Sequence, residues 1–134
     1  MTDRAVFVGF GQPVRGREER AVEVFNEFVG MFGRMQADGR IEDMDVTLLR
    51  SHGGDLGGFF MVHGSAEQCS ALQMDEEFER AIADATLIVE NFGVVPAVTG
   101  AGVAEQMAIY TEALRKVGVG GHALAGMGAH NGGS

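Results

Sequence analysis

His63 is the side chain whose type and position come closest to chemistry. It closes the run Phe59-Phe60-Met61-Val62-His63, shares the parity of Phe59 and Met61, and stands just ahead of Ser65. A neutral imidazole in an apolar pocket acts as a general base or a metal ligand. The commoner role of a histidine at a strand end is structural, held by a hydrogen bond, and no acid–base partner is legible beside it. Arg50 and His52 share a face by strand parity next to Asp55, so a small anion could bridge them. Polar residues at a turn are more often simply solvated. Tyr110, the only tyrosine, has a hydroxyl able to donate to a ligand, although an aromatic at a packing interface is commoner. The candidate set is therefore His63 as catalytic base, with Arg50, His52, Phe59, Met61 and Tyr110 as ligand contacts.

Other chemistries find less support. Cys69 has no basic neighbour to stabilise a thiolate, which makes a buried, inert thiol the expectation. The four histidines, one cysteine and eight methionines contain no His-x-x-His or Cys-x-x-Cys spacing. No metal site is expected. His122 and His130 stand in a glycine-rich tail too loosely held to make a site alone. Gly9-x-Gly11 follows a strand, but Val14 occupies the place of the third glycine in a dinucleotide loop. No phosphate-binding loop, nucleophile elbow or zinc-protease helix is present, and no cofactor is expected. The net charge of −9, with nine arginines and one lysine, argues against nucleic acid and against anionic membrane surfaces. No apolar run reaches the roughly 18 residues of a membrane span. A lone cysteine and an N-terminus without a signal-peptide core point to the cytoplasm.

These side chains must be positioned by a succession of elements. Ala5 to Phe10 is apolar on both alternating faces, as in a central strand. From Glu18 the period changes, and Ala21, Phe25, Phe28, Phe32 and Met35 form a helical stripe with Arg20, Glu23, Glu27 and Arg34 off it. Asp38-Gly39 ends that helix. Met44, Val46 and Leu48 alternate with Asp43, Asp45 and Thr47, the pattern of a strand with one wetter face. His52-Gly53-Gly54-Asp55 turns the chain into the strand Phe59 to His63. Ser65-x-x-Gln68 has capping-box spacing, and carboxylates after Met74 mark a fresh helical start. Phe78, Ile82, Ala85, Val89 and Phe92 continue at helical steps into the strand Val94 to Val98, where Pro96 fits an edge. A third helix is expected from about Gly102 to Lys116, with the stripe Val103, Met107, Tyr110 and Leu114. Seven of the seventeen residues from Gly118 to Ser134 are glycine, the composition of a flexible tail.

The order β-α-β-β-α-β is the split-βαβ, ferredoxin-like plan, in α+β class, with a four-stranded antiparallel sheet and an extra C-terminal helix. The organisation expected is one domain over residues 1–117 and a tail over 118–134. Helices cover one face of such a sheet. Here both faces of the central strands are apolar, which would leave large side chains exposed on a monomer, each forgoing about 1.5–3 kcal/mol of burial. A homodimer joined face to face, or a larger assembly, relieves this.

The element order, the segment Asp75 to Arg80 and the closing Gly93-Val94-Val95-Pro96-Ala97-Val98-Thr99-Gly100 resemble the dimeric α/β-barrel superfamily, near its YciI-like and antibiotic-biosynthesis-monooxygenase-like members. The resemblance covers about residues 5–100 and carries no catalytic signature. It implies a homodimer with a small-molecule pocket between sheet and helices. Three functions follow, in order. The first is a dimer that binds a small apolar molecule without chemistry of its own. The second is a cofactor-independent monooxygenase or isomerase with His63 as base and Arg50, His52 or Tyr110 stabilising negative charge. The third is an assembly role for the glycine-rich tail.

Overall fold

Val6 and Val8 alternate with Ala5, Phe7 and Gly9, and the strand that carries them lies at the centre of the sheet. The computed structural model describes residues 2–125, with side-chain surroundings through residue 118. Its elements are β1 (Arg4–Phe10), α1 (Glu18–Ala37), β2 (Asp43–Leu48), β3 (Gly58–Gly64), α2 (Ala66–Gln73), α3 (Glu76–Thr86), β4 (Gly93–Val98) and α4 (Ala101–Ala125). The sheet runs β2-β3-β1-β4, and each neighbouring pair is antiparallel. The strands apolar on both faces, β1 and β3, are the inner two. Strand β2, with its two aspartates, and β4, with Pro96, are the edges, as their compositions predict.

Register decides what each face presents. Val6 lies opposite Val62 and Val8 opposite Phe60, and all four are buried on the face that α1 and α3 cover. The other face carries Phe7 opposite Met61, with Phe59 one row along and Val95 across on β4. Helix α1 buries Ala21, Val24, Phe28, Met31, Phe32 and Met35. Arg20 stays outside, paired with Glu23 at 3.1 Å and Glu27 at 3.0 Å. Asp38 caps the helix and Gly39 follows at φ +84°, the left-handed conformation that glycine adopts without strain. Phe60 is the hub of the core, with ring centroids of Phe25 and Phe32 each 5.4 Å away and Phe28 at 5.8 Å.

Both helical starts after β3 exist. Ser65 Oγ accepts from the Gln68 N–H at 3.1 Å while the Ser65 N–H donates to Gln68 Oε1 at 2.8 Å, closing the capping box of α2. Met74 ends α2, and Asp75 begins α3 by accepting from the Phe78 N–H at 3.0 Å.

The structure departs from the sequence pattern in two places. Helix α3 stops at Thr86, although helical spacing continues to Phe92. The reason lies in the backbone. The segment after β1 binds residues 88–90 instead: Gly11 N–H donates to Glu90 O, Glu90 N–H to Gln12 O and Val14 N–H to Ile88 O. Asn91 at φ +56° then turns the chain into β4. The second departure is α4, which runs to Ala125, beyond Lys116 and into the stretch expected as tail. The rest of that tail, residues 126–134, lies outside the described residues. The chain divides into two compact units after Gly100. Among the described residues no helix is long and apolar enough to cross a membrane.

Candidate functional site

A cavity of about 370 Å³ lies between the helix-covered face of the sheet, α1 and the segment that follows α3. The sheet contributes Phe10, Leu48 and Phe60, and α1 contributes Ala21, Val24, Phe25 and Phe28. Ala85 at the end of α3 and Ile88, Val89 and Phe92 beyond it close the far wall. The helical stop at Thr86 matters here, because it lets residues 88–92 run alongside the cavity. Val22 and Leu48, 61% and 66% exposed, stand at its rim. No residue that lines it carries a charged or hydrogen-bonding side chain. Such a space offers dispersion contacts and exclusion of water and nothing that would fix an ion or a proton.

One end of the cavity is a crossing of three chain segments at Gly11. Its N–H donates to Glu90 O at 2.8 Å, while Gly57 N–H donates to Phe10 O at 2.7 Å. A Cβ at Gly11 would stand 2.6 Å from Glu90 O and 2.7 Å from Asp55 O, both backbone atoms that cannot swing aside. Glycine is required there by close approach.

The residues singled out in the sequence occupy three separate places. Phe59, Met61 and His63 point away from the cavity, on the sheet face opposite the one that α1 and α3 cover. There Phe7 and Phe59 pack with ring centroids 5.2 Å apart. His63 Nε2 lies 3.1 Å from Asp45 Oδ2 across β2 and β3. An imidazole oriented by a carboxylate is a familiar arrangement for a base, but Asp45 is 66% exposed and well solvated. Arg50 and His52 are exposed in the connection between β2 and β3. His52 is engaged locally: its Nε2 lies 2.8 Å from Leu56 O, and its Nδ1 accepts from the Gly54 N–H at 3.2 Å. That ring shapes the turn. Tyr110 is exposed on α4, in the second unit. Among the described residues no group of three or more His, Cys, Asp or Glu is arranged to hold a metal.

The cavity lining was half legible. Phe25 and Phe28 belong to the expected stripe of α1, but Phe60 and Phe59 alternate, and either could have faced the helices. The signal was on β2. Asp43, Asp45 and Thr47 pair with His63, Met61 and Phe59, so the polar side of β2 marks the face away from α1 and α3.

No family model matches the chain, and no curated protein matches it. Solved structures do. One is a dimeric protein of unknown function with a ferredoxin-like fold from Bacteroides fragilis NCTC 9343. It is 13% identical, with 71% of this chain and 95% of that chain covered and a TM-score of 0.53. Another is a dimeric ferredoxin-like protein of unknown function from Jannaschia sp. CCS1. It is 12% identical, with 72% and 98% covered and a TM-score of 0.53. At such identity the likeness is one of fold: the four-stranded antiparallel sheet and its helices are ferredoxin-like.

Proposed function

We propose that this protein is a homodimer that holds a small, uncharged, apolar molecule between the sheet and helices of each subunit. The observation that carries the proposal is the cavity of about 370 Å³ without a polar side chain in its wall. That volume is at the lower end of the range of ligand pockets, about 300–1,000 Å³. A charged ligand would be stripped of water there with no partner in return. Dimerisation joins the two sheet faces opposite α1 and α3 and buries Phe7, Phe59, Met61 and Val95. It is supported by the apolar character of that face and by the dimeric state of the ferredoxin-like neighbours. Kinship with the dimeric α/β-barrel superfamily and a place in the reducing cytoplasm belong to the same reading, the latter resting on the single Cys69.

The test is a titration with N-phenyl-1-naphthylamine, a neutral fluorophore that brightens when dry. Saturable brightening at one probe per chain is expected. Ala21→Leu, which adds bulk to the lining, should weaken it about tenfold by displacing probe from a close-packed wall. Brightening that never saturates, or an Ala21→Leu protein that binds as the wild type does, would count against the cavity.

An enzymatic reading with His63 as base draws on the His63–Asp45 contact. It ranks second because that pair is on the far face of the sheet from the cavity. Turnover abolished by His63→Ala in a protein that still binds the probe would reverse the order.

A further inference from the structure

Helix α4 carries a pattern that the apolar cavity does not use. Val103, Met107, Tyr110, Leu114 and Val117 follow one another at steps of four, three, four and three. This is the heptad spacing of a coiled-coil seam, narrower than the broad apolar face of a helix packed on a sheet. All five are exposed, between 46% and 69%. Beside the seam stand Ala104, Gln106, Thr111 and Ala113, uncharged and mostly small. The four charged residues of the helix, Glu105, Glu112, Arg115 and Lys116, all fall on the opposite half of the wheel. Ile109 and, by sequence position, Val119 are the large apolar residues off the seam. Counted onward in sequence, the step of seven from Val117 reaches Leu124, with Gly121 a gap between them.

We infer that α4 pairs with α4 of a second copy of this chain in a two-stranded coil, an inference that rests on the self-association proposed above. A period of 3.5 residues calls for another helix as the occupant, because it keeps the seam turned toward a helical partner along its length. A lipid surface is the wrong match: interfacial helices have a broad apolar side and a basic face, and the chain carries a net charge of −9. Charge favours a second copy as well. Two acidic molecules can approach along a strip from which every charged side chain is excluded, and the small flanking residues let the helix axes come close. Three heptads are too short to pair firmly alone, but a dimer already joined by its sheets supplies the second helix at high effective concentration. The partner would also hold helical the stretch around Gly118, Gly120 and Gly121, a composition that resists helix formation unaided.

Tyr110 is the middle residue of the seam: a parallel pair sets the two Tyr110 positions side by side, and an antiparallel pair centred near it leaves them within about one turn of each other. In the full-length protein with Cys69→Ser, Tyr110→Cys should oxidise to a covalent dimer at least tenfold faster than Glu112→Cys on the charged side. Sedimentation should show Leu114→Glu weakening self-association at least tenfold, with Glu112→Ala unchanged and both variants unfolding cooperatively like the wild type. Equal oxidation rates at the two positions would overturn the coil. So would a Leu114→Glu protein that associates like the wild type while Met61→Asp, on the sheet face opposite α1 and α3, dissociates. In that case the sheet-to-sheet dimer stands and only the coil falls. A wild-type chain that sediments as a monomer at every concentration removes both.

Discussion

Cys69 shows how far a residue's chemistry is set by its surroundings. It is buried in α2, and that burial raises its thiol pKa above the ordinary value, with the charge of Arg4 pulling weakly the other way. The folded state therefore keeps its proton at pH values where the unfolded chain has lost it. Stability from this group is whole below the ordinary thiol pKa and declines as pH rises through it toward the raised native value. A urea-unfolding series from pH 7 to 10 should show that alkaline decline, and Cys69→Ser should flatten it. Reaction with a neutral disulfide reagent at pH 8 should be slower by about two orders of magnitude in the native protein than in urea. The buried thiol was legible in the sequence, as a cysteine on an amphipathic segment with no basic residue close to it along the chain. The setting of His63 was not. Its partner Asp45 is eighteen residues away on an adjacent strand, and register created the contact, since directly opposite His63 stands Asp43.

At the level of elements, local chemistry was the most readable layer. The capping box at Ser65 and the carboxylate cluster after Met74 begin α2 and α3 where the spacing placed them. Asp75 both caps α3 and receives Arg40 at 3.2 Å from the loop after α1. Removing the cap by Asp75→Ala should cost about 1–2 kcal/mol in urea unfolding. Asp75→Asn, which caps as well but loses the exposed ion pair, should cost less than about 1 kcal/mol. Equal losses would mean that Arg40 rather than the cap is what matters. Helical spacing misled at the end of α3, since Val89 and Phe92 keep the period while their backbone pairs elsewhere. Tertiary hydrogen bonds from residues 11–14 overrode a pattern that side chains alone could not distinguish from helix. The same blindness shortened α4, because glycines from Gly118 onward read as an end.

For the molecule as a whole, the proposed dimer gives the two faces of one sheet different work, and substitutions should separate them. Phe32 is fully buried against Phe28, Phe60 and Phe78, with centroids 5.9, 5.4 and 6.0 Å away. Phe32→Ala should cost about 3–5 kcal/mol, a large share of the roughly 5–15 kcal/mol that holds a domain folded. Phe59→Ala on the opposite face should cost a subunit far less and act on association, so that it lowers the unfolding midpoint where the wild type is dimeric and changes it little in a dilute sample. Equal effects of the two on a dilute sample would contradict the division. The sheet's margins carry a further consequence. On one side Pro96 has no N–H to offer an incoming strand; on the other, Asp43 and Asp45 would set like charges against any copy of β2 laid alongside. Elongation by strand addition is thus discouraged at both ends. The proposed contacts through a sheet face and a helix close on one partner and are finished, so a crowded solution of this protein should settle into particles of fixed size instead of lengthening into fibrils.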